Sequence, residues 1–299
     1  MKIMVTGSNG LLGQKLIHAL KERADVTLIA TARGQNRLQS QIGYTYYSLD
    51  VCDEQQVLEL FLAVKPDVII HTAAMTQVDD CEEHQAACWN LNVSAVDYLI
   101  RSCEAINAHM IHLSTDFIFD GAAGPYDEKA AANPLSFYGK SKLAAEKLLI
   151  DSSISYAIIR TVLVYGVAED MSRSNIVLWA KSALEKGQPL RIVSDQFRSP
   201  TLAEDLAAGC ILAAINRAQG VFNISGKDQM SVLELVKRVA DYFKLPTDQI
   251  SEVSTDELGQ KARRPKITGF VLDKARRELG YEPRSFEEGI ALVMSQTAQ

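Results

Sequence analysis

A threonine, a tyrosine and a lysine form the set most able to do chemistry in this chain. Ser114-Thr115-Asp116-Phe117 closes a short apolar run, and one connection later a helical segment carries Tyr138-Gly139-Lys140-Ser141-Lys142. Tyr138 and Lys142 stand four residues apart and share a face on a helix. In a chain with ten tyrosines that spacing takes its weight from its position after a strand ending in Ser-Thr. Such a set can protonate an oxygen while hydride reaches the adjoining carbon. A free tyrosine ionises at about pH 10, and a neighbouring ammonium lowers that value. Tyr138 then reads as the general acid, while Lys142 supplies charge and bonds the ribose hydroxyls of a nicotinamide cofactor. Thr115 would donate a hydrogen bond to the substrate oxygen as negative charge develops.

A hydride source calls for a dinucleotide site, and the N-terminus offers one. Lys2–Thr6 runs into Gly7-Ser8-Asn9-Gly10-Leu11-Leu12-Gly13 and then into an amphipathic helical pattern. Glycines at such a turn let the backbone approach a pyrophosphate, and the free N–H groups and dipole of the helix favour the anion. The spacing is GxxGxxG, and Gly7, Asn9, Gly10, Leu11, Leu12 and Gly13 are the candidate contacts. The second run ends Ala32-Arg33-Gly34, with no acid for a ribose diol, so Arg33, with Arg37, is placed to pair with a 2′-phosphate. NADPH is the expected cofactor, with NADH as the alternative. Asp50-Val51 offers a carboxylate to the adenine amino group and an apolar surface to its ring, while capping the following helix is an equally good use of Asp50. Ala73 and Ala74 would let the cofactor lie against the backbone, and the preceding His71 reads as a satisfied strand-end histidine.

Positioning these groups requires a scaffold of alternating elements. Expected strands are Lys2–Thr6, Val26–Thr31, Tyr44–Leu49, Val68–His71, Met110–Ser114 and Ala157–Arg160, with helices at Leu11–Lys21, Glu54–Val64, Gln85–Ile106 and Ser136–Leu149. This is the pattern of an α/β fold with a Rossmann-type, doubly wound parallel sheet. Polar loops follow at Ala168–Ser174 and Ser194–Thr201, and a helix at Leu202–Asn216 leads to Val221–Ile224, which is expected to rejoin the sheet. Residues 1–162 plus 202–225 would form the dinucleotide-binding domain, and 163–201 plus 226–299 a smaller substrate-binding lobe.

Composition narrows the class. With 299 residues, 47% hydrophobic and 23% charged, the chain can bury a sizeable core. Its net charge of −6 disfavours nucleic acid or an anionic membrane as partner. The N-terminus turns to glycine too soon for a secretory signal, and no apolar stretch is long enough to cross a bilayer. Five cysteines form no CxxC pair and no metal-ligand spacing with the five histidines, so they read as reduced thiols of a cytoplasmic protein without a metal site.

The segments TGSNGLLG, LDVCD, HTAAMTQVDDCE, LNVSAV, LSTDFIFDG, YGKSKLAAE, IIRTVLVYG and SDQFRSPT together resemble the dTDP-4-dehydrorhamnose reductases, which are extended short-chain dehydrogenases, over nearly the whole chain. The resemblance implies NADPH-linked reduction of the 4-keto group of dTDP-4-dehydro-L-rhamnose, giving dTDP-L-rhamnose for cell-surface polysaccharide. Thr115, Tyr138 and Lys142 match the family triad, and Thr76, Val78 and Asp116 fall at its substrate-loop positions. A nucleotide sugar is the implied partner, and a homodimer a possible assembly. Arg198 and Arg264 are candidate diphosphate contacts by charge, with solvated surface charge the competing reading for Arg264. Leu163 stands where the family has a tryptophan near the sugar, and Phe117 where it has a tyrosine. Arg264-Pro265-Lys266-Ile267-Thr268 also departs from the family's late RPxNS-like segment. An epimerase of the same superfamily remains open on these residues. A dehydratase is disfavoured because Phe117 occupies the place of its glutamate. A non-catalytic, NADP-binding regulatory subunit, like the reductase-like subunit of methionine adenosyltransferase, is a third reading.

Overall fold

Strands with apolar side chains on both faces are stable where helices cover each side, and that arrangement is realised here. The computed structural model describes residues 1–170 and 174–297. The first half comprises β1 (Lys2–Thr6), α1 (Leu11–Leu20), β2 (Thr27–Ala32), β3 (Thr45–Ser48), α2 (Glu54–Val64), β4 (Val68–His71), α3 (Val78–Glu83), α4 (Gln85–Trp89), α5 (Ala95–Ile106), β5 (His109–Thr115), α6 (Phe137–Ile150) and β6 (Tyr156–Thr161). The second half contains β7 (Val164–Tyr165), α7 (Ile176–Glu185), β8 (Leu190–Val193), β9 (Phe197–Arg198), β10 (Thr201–Leu202), α8 (Ala203–Ile215) and β11 (Gly220–Asn223). It closes with β12 (Met230–Ser231), α9 (Val232–Phe243), β13 (Ile250–Val253), α10 (Thr255–Leu258), α11 (Asp273–Leu279) and α12 (Phe286–Thr297).

Seven parallel strands form the main sheet in the order β11-β6-β5-β4-β1-β2-β3. The order reverses between β1 and β4, which is where such sheets open a ligand crevice beyond their C-terminal ends. Side-chain alternation sends Ile3, Val5, Ile70, Ile111 and Ile159 into one core with Leu16 of α1 and Leu206 of α8. Met4, Ile69, Met110 and Ile158 point the other way, onto Phe61 of α2, Leu99 of α5 and Leu149 of α6. A third core, with Val177, Leu184, Ile192, Val236, Val239 and Ile290, draws on α7, β8, α9 and α12.

Among the described residues the structure departs from the sequence reading at several elements. The helix expected over Gln85–Ile106 is interrupted by a π-helical turn at Asn90–Ser94. There the Asn92 amide takes both polar groups of the Met75 backbone, an interaction that periodicity does not reveal. Helix α3 is too short for a periodic signature. Ser194–Thr201, expected as loop, contains β9 and the first residue of β10. Of the Ala168–Ser174 loop, residues 171–173 lie outside the described ones.

Phe270, Leu272, Ala275, Leu279 and Tyr281 fall in the stretch assigned by sequence to the smaller lobe, yet they pack in the larger core. The edge strand β11 explains their return. Lys274 Nζ donates to Val221 O at 2.6 Å, and Tyr281 OH donates to Ser225 O at 3.0 Å. Among the described residues no helix is long and apolar enough to cross a membrane.

The sheet buries three histidines, and burial holds His71 at about 3 and His109 at about 4, with His112 well below the usual value. The unfolded chain therefore takes up protons below about pH 6.5 that the folded chain refuses, so stability present above that pH is lost as pH falls. Each of the fully enclosed pair, His71 and His112, should contribute roughly 1.4 kcal/mol per pH unit in that range. Burial of Asp116 and Asp205 raises their pKa values and opposes part of the loss. The urea midpoint should fall between pH 7 and pH 5, and His71→Gln should flatten the dependence by roughly a third of the contribution of the three histidines. Parallel curves for the two proteins would remove His71 from the account.

Candidate active site

Backbone crowding shapes the turn between β1 and α1. Gly7 has a positive φ of +74°, and a Cβ there would lie 2.6 Å from Ala73 N. A Cβ on Gly13 would lie 2.3 Å from Gly7 O, so only glycine permits the turn to press onto the helix. Gly10 caps α1 without a side-chain hydrogen bond, and no acid occupies the first turn. The N–H groups at the mouth of α1 are therefore left for an anion. Ser8 Oγ is buried there without a partner. These features fit the pyrophosphate and ribose of a dinucleotide.

The other expected cofactor contacts surround this turn. Asn9 fastens the loop after β2, donating to Gln35 O at 2.8 Å and accepting from Arg37 N at 3.0 Å. Leu11, Leu12, Ala73 and Ala74 are half-buried and Val51 is buried. Arg33 is exposed at the end of β2, and Arg37 lies 3.9 Å from Asp170. Asp50 is not the helix cap, because that role belongs to Asp53, whose carboxylate accepts from Gln56 N. Asp50 Oδ1 instead accepts from Cys52 N at 3.0 Å within its own turn.

Beyond the C-terminal end of β5 the three reactive groups converge. Thr115 Oγ1 donates to Asp116 Oδ1 at 3.0 Å and accepts from Phe117 N at 3.2 Å, and Tyr138 lies near enough for Thr115 to influence its phenol. Helix α6 begins at a Ser136 cap that accepts from Gly139 N. A Cβ on Gly139 would lie 2.1 Å from Phe117 O, so backbone contact sets the depth at which the helix delivers Tyr138. The Phe117 ring meets the Tyr138 ring edge-on at 5.7 Å. Asp116 is buried, accepts from Thr268 through its second oxygen, and has its pKa raised by burial against the opposing charge of Arg198.

Lys142 does not lower the ionisation of Tyr138 in this structure. Burial pushes the phenol well above its usual value, outweighing the lowering influence of Thr115. The lysine is itself buried, which pulls it down to about 8 against the raising influence of Glu146 and Cys88. Its ammonium meets His112 Nε2 at 3.3 Å. The expected satisfaction of His71 is incomplete. Its Nδ1 pairs with Thr6 Oγ1 at 2.7 Å, while Nε2 is buried without a partner.

A cavity of about 260 Å³ opens beside this set, lined in part by Asp116, Phe117, Leu163, Trp179, Arg198 and Arg264. Arg198 reaches it with both Nη atoms already hydrogen-bonded. Its Nη atoms donate to the carbonyls of Pro265 and Lys266, to Phe197 O and to Gln196 Oε1, so it braces the wall, where sequence had assigned it a diphosphate contact. Arg264 is likewise not a solvated surface charge, because it forms a 2.7 Å ion pair with Asp79 of α3. Thr76 is exposed, and Val78 packs against Cys81, Cys88 and Tyr138. Leu163 holds a left-handed φ of +37°, which few leucines adopt.

Sequence reasoning missed Trp179, which gives the cavity an aromatic wall, and also Asn92 and His112. Asn92 Nδ2 donates to Ser141 Oγ at 3.0 Å, linking the Met75 loop to α6 between Tyr138 and Lys142. Its only trace in the sequence is a polar residue in an otherwise apolar helical face.

Similar proteins share both halves of this arrangement. A zebrafish (Danio rerio) methionine adenosyltransferase 2 subunit beta is 32% identical over 89% of this chain and 81% of its own length. The crystal structure of a dTDP-4-dehydrorhamnose reductase of Clostridium acetobutylicum superposes with a TM-score of 0.87 at 27% identity, covering 100% of both chains. A dTDP-4-dehydrorhamnose reductase of Bacillus anthracis, solved in complex with NADP, gives a TM-score of 0.84 at 25% identity over 99% of each chain. The family described as the RmlD substrate binding domain matches residues 1–299, and with the fold superposing over the full length of a solved reductase, this chain belongs to it.

Proposed function

We propose that this protein reduces the 4-keto group of dTDP-4-dehydro-L-rhamnose, or of a closely related nucleotide 4-keto-6-deoxy sugar, with NADPH. The observation that carries the reading is that Thr115 and the Tyr138 ring sit either side of Phe117, beside a cleft that Phe117 lines together with Arg198, Arg264 and Trp179. The relatives that are reductases, one of them solved with NADP, support the substrate class and the cofactor. A nucleotide sugar is the proposed partner. The five free cysteines agree with a reducing cytoplasm.

The residues divide the work as follows. Gly7, Gly10, Gly13 and the open end of α1 hold the pyrophosphate, and Arg33 faces the 2′-phosphate. When bound, the nicotinamide supplies the hydride. Thr115 donates from its hydroxyl to the carbonyl oxygen, and Tyr138 delivers its phenolic proton to the same oxygen as the alkoxide forms. Tyr138 is fully protonated at neutral pH because burial raises its pKa, so it starts as the acid that the reaction requires. Lys142 holds the ribose hydroxyls through its ammonium. The apolar surroundings of Phe117, Leu163 and Val78 keep water from the reacting carbon.

A non-catalytic, NADP-binding subunit is the second reading, favoured by the zebrafish regulatory relative. NADPH absorbance followed with dTDP-4-dehydro-L-rhamnose separates the two, with the product identified by NMR. Wild type should form dTDP-L-rhamnose, and Tyr138→Phe should lose roughly 10²- to 10⁴-fold in kcat while still binding NADPH. Wild-type binding of NADPH without oxidation would move the assignment to the subunit. Cofactor choice is tested by Arg33→Ala, for which the Kd of NADPH should rise about 10- to 100-fold while that of NADH hardly changes. Equal weakening of both cofactors would take Arg33 off the 2′-phosphate.

A further inference from the structure

Beneath the proposed catalytic set lies a row of polar side chains that the reaction as described leaves unused. Thr6, His71 and His112 stand on neighbouring strands β1, β4 and β5, with Thr6 in register with His71 and His71 in register with His112. Two residues earlier on the same strand faces come Met4, Ile69 and Met110, all fully buried in the core under α2, α5 and α6. The sheet therefore changes from apolar to polar within one side-chain repeat, directly below Lys142. The imidazoles of His71 and His112 stack with centroids 5.6 Å apart, and His112 is itself fully buried.

Lys142 brings an ammonium into this enclosed layer, and a buried cation needs an acceptor. The nearest carboxylate on its own helix, Glu146, is taken by Arg160 through two hydrogen bonds of 3.0 and 2.7 Å. The groups facing Lys142 electrostatically are Glu146 from α6, Cys88 from α4, His112 from β5 and His71 from β4. Of these, His112 Nε2 lies within hydrogen-bonding reach, at 3.3 Å. Accepting from an ammonium requires a bare Nε2 and so calls for the proton on Nδ1, which is buried without a partner. Burial keeps His112 neutral throughout the working pH range, and the two side chains do not repel.

We propose that His112 is a positioning residue for Lys142, a neutral acceptor that holds the ammonium at the floor of the nicotinamide site. A carboxylate in its place would bind the ammonium as a tight ion pair, and an apolar side chain would leave it unsatisfied. The imidazole holds the lysine while leaving its other N–H groups for the cofactor ribose. This inference rests on the proposed reading of the site as an NADPH site.

The test has two independent arms. In 15N-histidine-labelled wild type, NMR should show His112 as the Nδ1–H tautomer with Nε2 unprotonated, and an Nε2–H tautomer would overturn the proposal without any variant or substrate. NADPH affinity measured by calorimetry from pH 6 to 10 forms the second arm. In wild type it should weaken as pH rises through the lysine's titration. His112→Leu should weaken binding about 10- to 100-fold and move that limb downward by roughly one to two pH units, because the ammonium loses its acceptor. His112→Gln, which loses the ring but keeps an amide acceptor, should recover most of both effects. Equal behaviour of the Leu and Gln variants would leave His112 as packing only. Failure of wild type to bind NADPH at any pH would count against the cofactor reading, while the tautomer result would still decide the contact.

Discussion

The end of the central sheet must satisfy two demands over the length of a single side-chain repeat. Below Thr6, His71 and His112 the strands need apolar side chains to hold helices on both faces. Above them the same strands end in a cleft where charged and hydroxylic groups must stay ordered. Parallel topology resolves the conflict because every strand finishes at the same edge, so one polar layer serves all of them. Lys142, Thr115, Asp116 and the glycine turn all take their positions from that edge.

The cleft depends on a second tie, from the far end of the chain. Residues 262–268 cross from the smaller core to the sheet. Ala262 N and Arg264 bond Asp79, Arg198 bonds the carbonyls of Pro265 and Lys266, and Thr268 bonds Asp116. The next residues, through Tyr281, are built into the larger core. Thus Asp116, one residue from Thr115, is held by the last third of the chain, and the smaller core cannot shift without disturbing the reactive end of β5. The burial that raises the Asp116 carboxyl is a product of this crossing.

Local signals made much of this legible. The glycine turn, the tyrosine–lysine spacing and the apolar runs each lie within a few residues, and the structure places them at the ends of β1, β5 and the start of α6. Contacts made at long range were not legible. Nothing near Arg264 in sequence points to Asp79, and nothing near Phe270 indicates that it bridges to Tyr126 and packs on Phe119. Arg198 misled for the same reason, since its charge suggested a ligand while its partners are backbone carbonyls that no sequence displays. Trp179 and His112 were hidden differently. A tryptophan on a helix and a histidine in a strand read as ordinary packing until the fold shows the cavity and the ammonium beside them.

Gly139 sets one spacing through what it lacks. Its missing side chain lets α6 rest directly on Phe117 O, so peptide is stacked on peptide where the tyrosine enters the site. Side-chain packing can relax around a substitution by small rotations, but two main chains in contact have no such freedom. The distance between the phenol and the strand that carries Thr115 is therefore a fixed spacer, written into the sequence as an absent methyl group. The cleft walls at Phe117 and Leu163 are side chains and open to exchange, while the gauge between Tyr138 and the sheet stays closed to gradual adjustment.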